Sequence, residues 1–178
     1  MSRDGKSEEN KFSSIQAKHQ EQGALFIDRD FPPSFKSLVS DIENAEKEDL
    51  VNLWKDMEWI RAREIPSLND DEGKLQVFAG SIEPNDIRQG ALGDCYFLSV
   101  LSVLAEKPER VRKLFETTEV NQEGVFAMNL TKNGQKVQVI VDEYFPCKDK
   151  EPFFSSANGN ELWVLLLEKA WAKLHGSY

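Results

Sequence analysis

The sequence is short of histidine, cysteine and positive charge, and it holds no long apolar run. Two cysteines, Cys95 and Cys147, are too few for the disulfide framework of a small secreted domain. Both read as free thiols in a reducing, cytoplasmic setting. No stretch approaches the roughly 20 apolar residues needed to span a bilayer. The opening "MSRDGKSEENKFSS" lacks the apolar region of a signal peptide. Lys and Arg number 22 against 31 Asp and Glu, a formal charge of −9. Nucleic acid is therefore excluded as a partner, because phosphate neutralisation needs clustered cations. The acidic excess suits either a divalent cation or plain solubility. Two histidines, His19 and His175, leave little choice of general base. There is no internal repeat and no low-complexity tract.

What remains is ordinary for a globular chain. Apolar residues make up 40% and charged residues 30% of the 178, enough for one domain with a core or one lobe of something larger. Residues 1–22 are polar and are expected to stay disordered. Pro32 and Pro33 in "ALFIDRDFPPSF" force an extended path. The spacing of Leu50, Leu53, Trp54 and Met57 predicts an amphipathic helix from Asp41 to Met57. "EWIRAREIPSLNDDEG" follows as an irregular connector. "KPERVRKLFE" reads as a helix with Pro108 in its first turn. Alternation on both sides of Asn133-Gly134 predicts a β-hairpin, with Val137, Val139 and Val141 on one face. "ELWVLLLEKAWAKLHGSY" is a long apolar helix. The fold class is α+β, helix-rich, with one small antiparallel sheet.

"QGALGDCYFLSVLSVLAEK", residues 89–107, is the segment that could carry chemistry. A thiolate attacks carbonyls and a thiol does not, so a catalytic cysteine needs a feature that lowers its pKa. A helix N-terminus is one, since its unpaired N–H groups favour negative charge. Cys95 falls where such a helix begins, with Gly90 and Gly93 ahead of it to turn the chain and admit a substrate. Gln89 and the Cys95 N–H could together hold an oxyanion. The plainer alternative makes Cys95 a small buried hydrophobe on a core helix. Cys147, in "YFPCKD", has neither glycine turn nor helix start and reads as packing. A nucleophilic cysteine also needs an oriented base. His19 lies in the polar tail and His175 just after a buried helix, and neither is a convincing one.

The same segment resembles the active-site turn of the calpains, calcium-dependent papain-like cysteine proteases. "LFIDRDFP" is similar to that family's opening segment and "EWIRAREI" to its Trp-x-Arg-x-x-Glu connector. "DIRQGALGDC" matches the nucleophile turn, "VIVDEYFP" the return strand of the hairpin, and "ANGNELWVLLLEKAWAKLHGSY" the closing helix. The resemblance runs from Leu25 to Tyr178. It implies a papain-like first lobe over residues 23–178, with Cys95 as nucleophile and Gln89 as oxyanion donor. The family's His and Asn belong to a second lobe, absent from this chain, which makes the fragment inactive alone. His175 stands where relatives carry Asn in "K-x-N-G", so it is not the catalytic histidine. The resemblance also implies a Ca²⁺ site of Asp86 and Glu161 with backbone carbonyls of Ala79 and Ser81. Hard oxygen ligands of this kind suit calcium.

The sequence departs from the family in two places. Tyr96 follows the nucleophile where Trp is common, and Pro84 stands where relatives carry an Arg that can pair with the second lobe. The implied function is the nucleophile-bearing part of a calcium-dependent endopeptidase, acting on protein or peptide substrates by acyl transfer. The alternative is a non-catalytic calpain-like module that binds calcium or a protein.

Overall fold

The computed structural model describes residues 10–39, 54, 57–69, 74–90, 95–157 and 159–178. The helix expected from Asp41 to Met57 lies outside the described residues except at its end, and so does the acidic turn at 70–73. Among the described residues no helix is long and apolar enough to cross a membrane.

Residues 11–22 correct the expectation of a disordered tail. Lys11–Gln22 forms helix α1. Asn10 caps it, its side chain accepting the Phe12 N–H at 3.0 Å, and Gly23 ends it at φ 58°. Only Phe12 and Ile15 are apolar contact residues here, too few for a periodic signal. Phe12 is nonetheless buried with Val125, Ala127 and Ile140, with Ile15 and Phe26 packed alongside. Tertiary burial orders a segment that composition alone leaves loose. A short helix, α2 (Phe35–Leu38), follows the two prolines.

The expected connector is also partly regular. Glu58–Arg61 is strand β1, followed by two 3₁₀ turns at Ala62–Glu64 and Pro66–Leu68. β1 was hidden because its partner is distant in sequence. It pairs antiparallel with β5 (Tyr144–Lys148), which pairs with β6 (Glu151–Pro152). Two further antiparallel pairs exist. β2 (Ile87–Arg88) meets β7 (Ser156–Ala157), and β3 (Val125–Lys132) meets β4 (Gln135–Asp142). Among the described residues, three small sheets thus replace the single one expected. The hairpin turn is as read, with Asn133 at φ 52° and Gly134 at φ 77°.

Helix α3 (Cys95–Ala105) buries Phe97, Leu98, Leu101 and Ala105 and exposes Tyr96, Val100 and Val103. Helix α4 (Pro108–Arg112) carries its proline in the first turn and buries Val111. Helix α5 (Trp163–His175) is buried on most sides from Trp163 to Ala170. Its apolar residues join those of α3, β3 and β4 in one core. The α+β class follows from this order.

A chain of buried charges ties the N-terminal segment to that core. Lys169 of α5 is fully enclosed and pairs with the Asp142 carboxylate. Its Nζ also donates to the Asp142 carbonyl at 3.3 Å and the Tyr144 carbonyl at 2.5 Å. Asp142 accepts the Asp28 N–H at 2.8 Å, and Asp28 pairs with Lys173 at 2.7 Å. Glu143, also enclosed, is held by Arg61 at 3.2 Å and Arg63 at 2.6 Å.

Candidate active site

Cys95 is the first described residue of α3 and is exposed. The reading of Cys95 as a buried hydrophobe fails on that exposure, while Cys147 is fully buried as expected. Burial pushes the Cys147 thiol up to about 12, so it is protonated at neutral pH. The start of α3 is held from below. Phe97 stacks on Trp171 of α5 with ring centres 5.2 Å apart, and the Trp171 Nε1 donates to the Tyr96 hydroxyl at 3.3 Å. Tyr96 thus uses the hydroxyl that distinguishes it from Trp to tie the first turn of α3 to α5. Ser99 Oγ donates to the Cys95 carbonyl at 2.6 Å.

Gln89 directly follows β2, whose pairing with β7 fixes the approach to the nucleophile turn. α3 packs against β2 and against the 3₁₀ turn Pro84–Asp86. The role of Gly90 differs from the one expected. It needs no left-handed backbone; instead a Cβ there would sit 1.5 Å from the Phe154 carbonyl oxygen. The close approach that requires glycine is to the chain's own 153–154 backbone. Gly93 lies outside the described residues.

Neither histidine makes a hydrogen bond with Cys95. His175 Nδ1 lies 2.9 Å from the Trp171 carbonyl, with its ring 4.2 Å from the indole. His19 is ordered on α1, edge-on to Phe26, its Nδ1 3.2 Å from the Ala24 carbonyl. Being fixed does not make it a base, because its polar contact is with α1's own C-terminal turn.

Of the residues that the resemblance names as metal ligands, Ala79 and Glu161 are in direct contact. Residues 76–77 run beside 160–163, with Leu162 N donating to the Gln76 carbonyl at 2.9 Å and Trp163 N to that of Val77 at 3.1 Å. This brings the Ala79 N–H to within 3.0 Å of Glu161 Oε2. Asp86 accepts the Glu83 N–H at 2.6 Å, which closes the 83–86 turn, and Ser81 Oγ donates to Glu83 at 3.1 Å. Burial holds the Glu161 carboxyl above its ordinary value, the Ala79 N–H works against this, and the negative charge of Asp86 raises it further. Carboxylates and backbone carbonyls are hard oxygen donors, the type that suits calcium. Among the described residues no three His, Cys, Asp or Glu side chains group so as to hold a metal ion.

The raised Glu161 value has a consequence for stability without metal. The folded state holds this proton more tightly than the unfolded state. Stability therefore falls as pH rises from about 4.5 through the raised folded value, and the penalty is fully present above it. Glu161→Gln keeps an acceptor for Ala79 and is expected to lose that part of the slope. Thermal melts in calcium-free buffer from pH 4 to 8 would show parallel curves if Glu161 carried no such penalty.

The chain is similar to known proteins along most of its length. The family model described as "Calpain family cysteine protease" matches residues 26–178. The chain is 39% identical over 155 residues to the calpain-type cysteine protease DEK1 of Arabidopsis thaliana, covering 86% of this chain and 7% of that protein. It is 40% identical over 155 residues to the calpain-type cysteine protease DEK1 of Zea mays, with the same two shares. It is 36% identical over 171 residues to the calpain-2 catalytic subunit of Bos taurus, covering 94% of this chain and 23% of that protein. The chain therefore spans less than a quarter of the length of these relatives. The match takes in α3, the hairpin and α5 together, and on it the chain belongs to the calpain family of cysteine proteases.

Proposed function

We propose that the chain is the nucleophile-bearing part of a calcium-dependent cysteine endopeptidase that acts in the cytoplasm. The observation that carries this reading is the contrast between its two thiols. Cys95 stands exposed at the start of helix α3, open to a substrate carbonyl. Cys147 is sealed in the core. Cys95 Sγ attacks a peptide carbonyl carbon, forming an acyl-enzyme. The Gln89 amide and the Cys95 N–H steady the oxyanion. The proton acceptor for attack and donor for amine departure come from a His–Asn pair in a second lobe. Tyr96, Val100 and Val103 form an exposed apolar stripe on α3 beginning next to the nucleophile. A base that must reach Cys95 has to be carried by something docked beside it, and this stripe gives that lobe an apolar seat. Asp86 and Glu161 would hold calcium, with the carbonyls of Ala79 and Ser81. The ion's chemistry there is to neutralise the acid pair and fix the 79–86 loop.

Alkylation tests the nucleophile directly. Limiting iodoacetamide at pH 7, followed by mass spectrometry of the peptides, is expected to label Cys95 at least tenfold over Cys147. Equal labelling in the folded protein, or preference for Cys147, would remove the basis for an accessible nucleophile.

A further inference from the structure

Arg112 closes α4 at the edge of the loop that carries the candidate calcium ligands. Its guanidinium lies over the Phe78 ring, 4.6 Å from the centroid, and its Nη2 donates to the Gly80 carbonyl at 3.3 Å. Phe78 is itself wedged edge-on against Phe115 at 4.9 Å. The arginine head is therefore not a freely moving surface charge. Aromatic stacking and one backbone carbonyl hold it beside residues 78–81. The next residue of that loop toward the N-terminus, Ala79, is the one hydrogen-bonded to Glu161. The guanidinium thus sits one residue along the loop from the Ala79–Glu161 contact, and its positive charge is the weakest of the influences on that carboxyl, opposing burial and Asp86.

We propose that Arg112 is a built-in counter-cation for the Asp86–Glu161 pair, and that its charge sets how weakly a divalent cation binds there. This rests on the calcium reading above. The pair's mutual repulsion is what makes a cation welcome. A fixed guanidinium already relieves part of it, and it repels an incoming divalent ion in proportion to twice its own charge. The sequence holds no signal for this role, because an Arg in the last turn of a helix is ordinarily explained by the helix dipole.

The charge and clamp functions of Arg112 can be separated. Arg112→Gln keeps an amide donor for the Gly80 carbonyl but removes the charge. Arg112→Lys keeps the charge but loses the planar fork and its stacking. Arg112→Glu reverses the charge. Calorimetric titration of the full chain with calcium chloride is expected to give a Kd lowered by about two- to tenfold in Arg112→Gln, the scale of an exposed charge acting on a nearby divalent ion. Arg112→Glu should tighten binding further, and Arg112→Lys should stay within about twofold of wild type. Affinity then follows charge and not contact geometry. If folded Arg112→Gln and Arg112→Glu bind calcium no more tightly than wild type, the counter-cation role is overturned while the calcium site stands. If wild type at millimolar calcium gives no heat that Asp86→Asn with Glu161→Gln removes, the calcium site fails and the inference falls with it.

Discussion

Cys95→Ala is expected to abolish peptide hydrolysis in a protein that joins this chain to a His- and Asn-bearing second lobe. The loss is about 10⁴- to 10⁶-fold in kcat, the scale seen when a nucleophile is removed from a triad-type site. Gln89→Ala acts differently. It deletes one of two oxyanion donors and leaves the Cys95 N–H, so about 10²- to 10³-fold is lost and a measurable residue remains. That residue should show a lowered kcat with KM little changed, because the donor serves the tetrahedral intermediate more than the bound substrate. The chain without a second lobe should show no turnover, for want of a proton acceptor. Steady-state assays on a fluorogenic peptide, with mass spectrometry for the acyl-enzyme on Cys95, decide the matter. A joined enzyme indifferent to Cys95→Ala refutes the mechanism. A folded two-lobed protein that forms no acyl-enzyme and turns over no peptide points to the non-catalytic module.

Removing the buried ammonium of Lys169 should be among the most damaging changes to stability. The Nζ is enclosed by the Asp142 carboxylate and the carbonyls of Asp142 and Tyr144. It also lies 5.5 Å from the Phe145 ring centre and 5.7 Å from that of Trp59. Lys169→Met retains the apolar stem but leaves the buried Asp142 side chain without its cation partner. Breaking one side of such a pair costs about 3–5 kcal/mol. For a chain of this size that lowers Tm by roughly 6–20 °C. Adding Asp142→Asn to Lys169→Met should recover part of the loss, because the orphaned charge goes, although the Asp28 and Tyr144 N–H groups still need an acceptor. Chemical denaturation of both single variants and the double variant measures this coupling. Additive losses would mean that Lys169 contributes by packing alone.

Much of the site was legible because its signals are local. A glycine-bearing turn, a cysteine and an apolar run lie within one short stretch, and Asn133-Gly134 announces its own hairpin. The family's motifs were readable for the same reason, each being a contiguous string. The failures were non-local. β1 is a strand because Tyr144–Lys148 lies beside it. Helix α1 is ordered because Phe12 finds a pocket on the hairpin more than a hundred residues away. The reason Gly90 must be glycine is the Phe154 carbonyl, which no reading of the 89–95 turn could supply.

By itself, then, the sequence determined the α+β class, the family, and which cysteine and which acids are candidates for chemistry. Those follow from residue type and short spacing, which the linear chain displays in full. Only the tertiary structure decided that Cys95 is exposed while Cys147 is sealed in, since exposure depends on what the rest of the chain covers. It alone set Glu161 against Ala79, because that contact needs residues 76–77 laid along 160–163. The same is true of Arg112 beside the 78–81 loop. A charge acts through space, and separation in space becomes fixed only when the chain has folded.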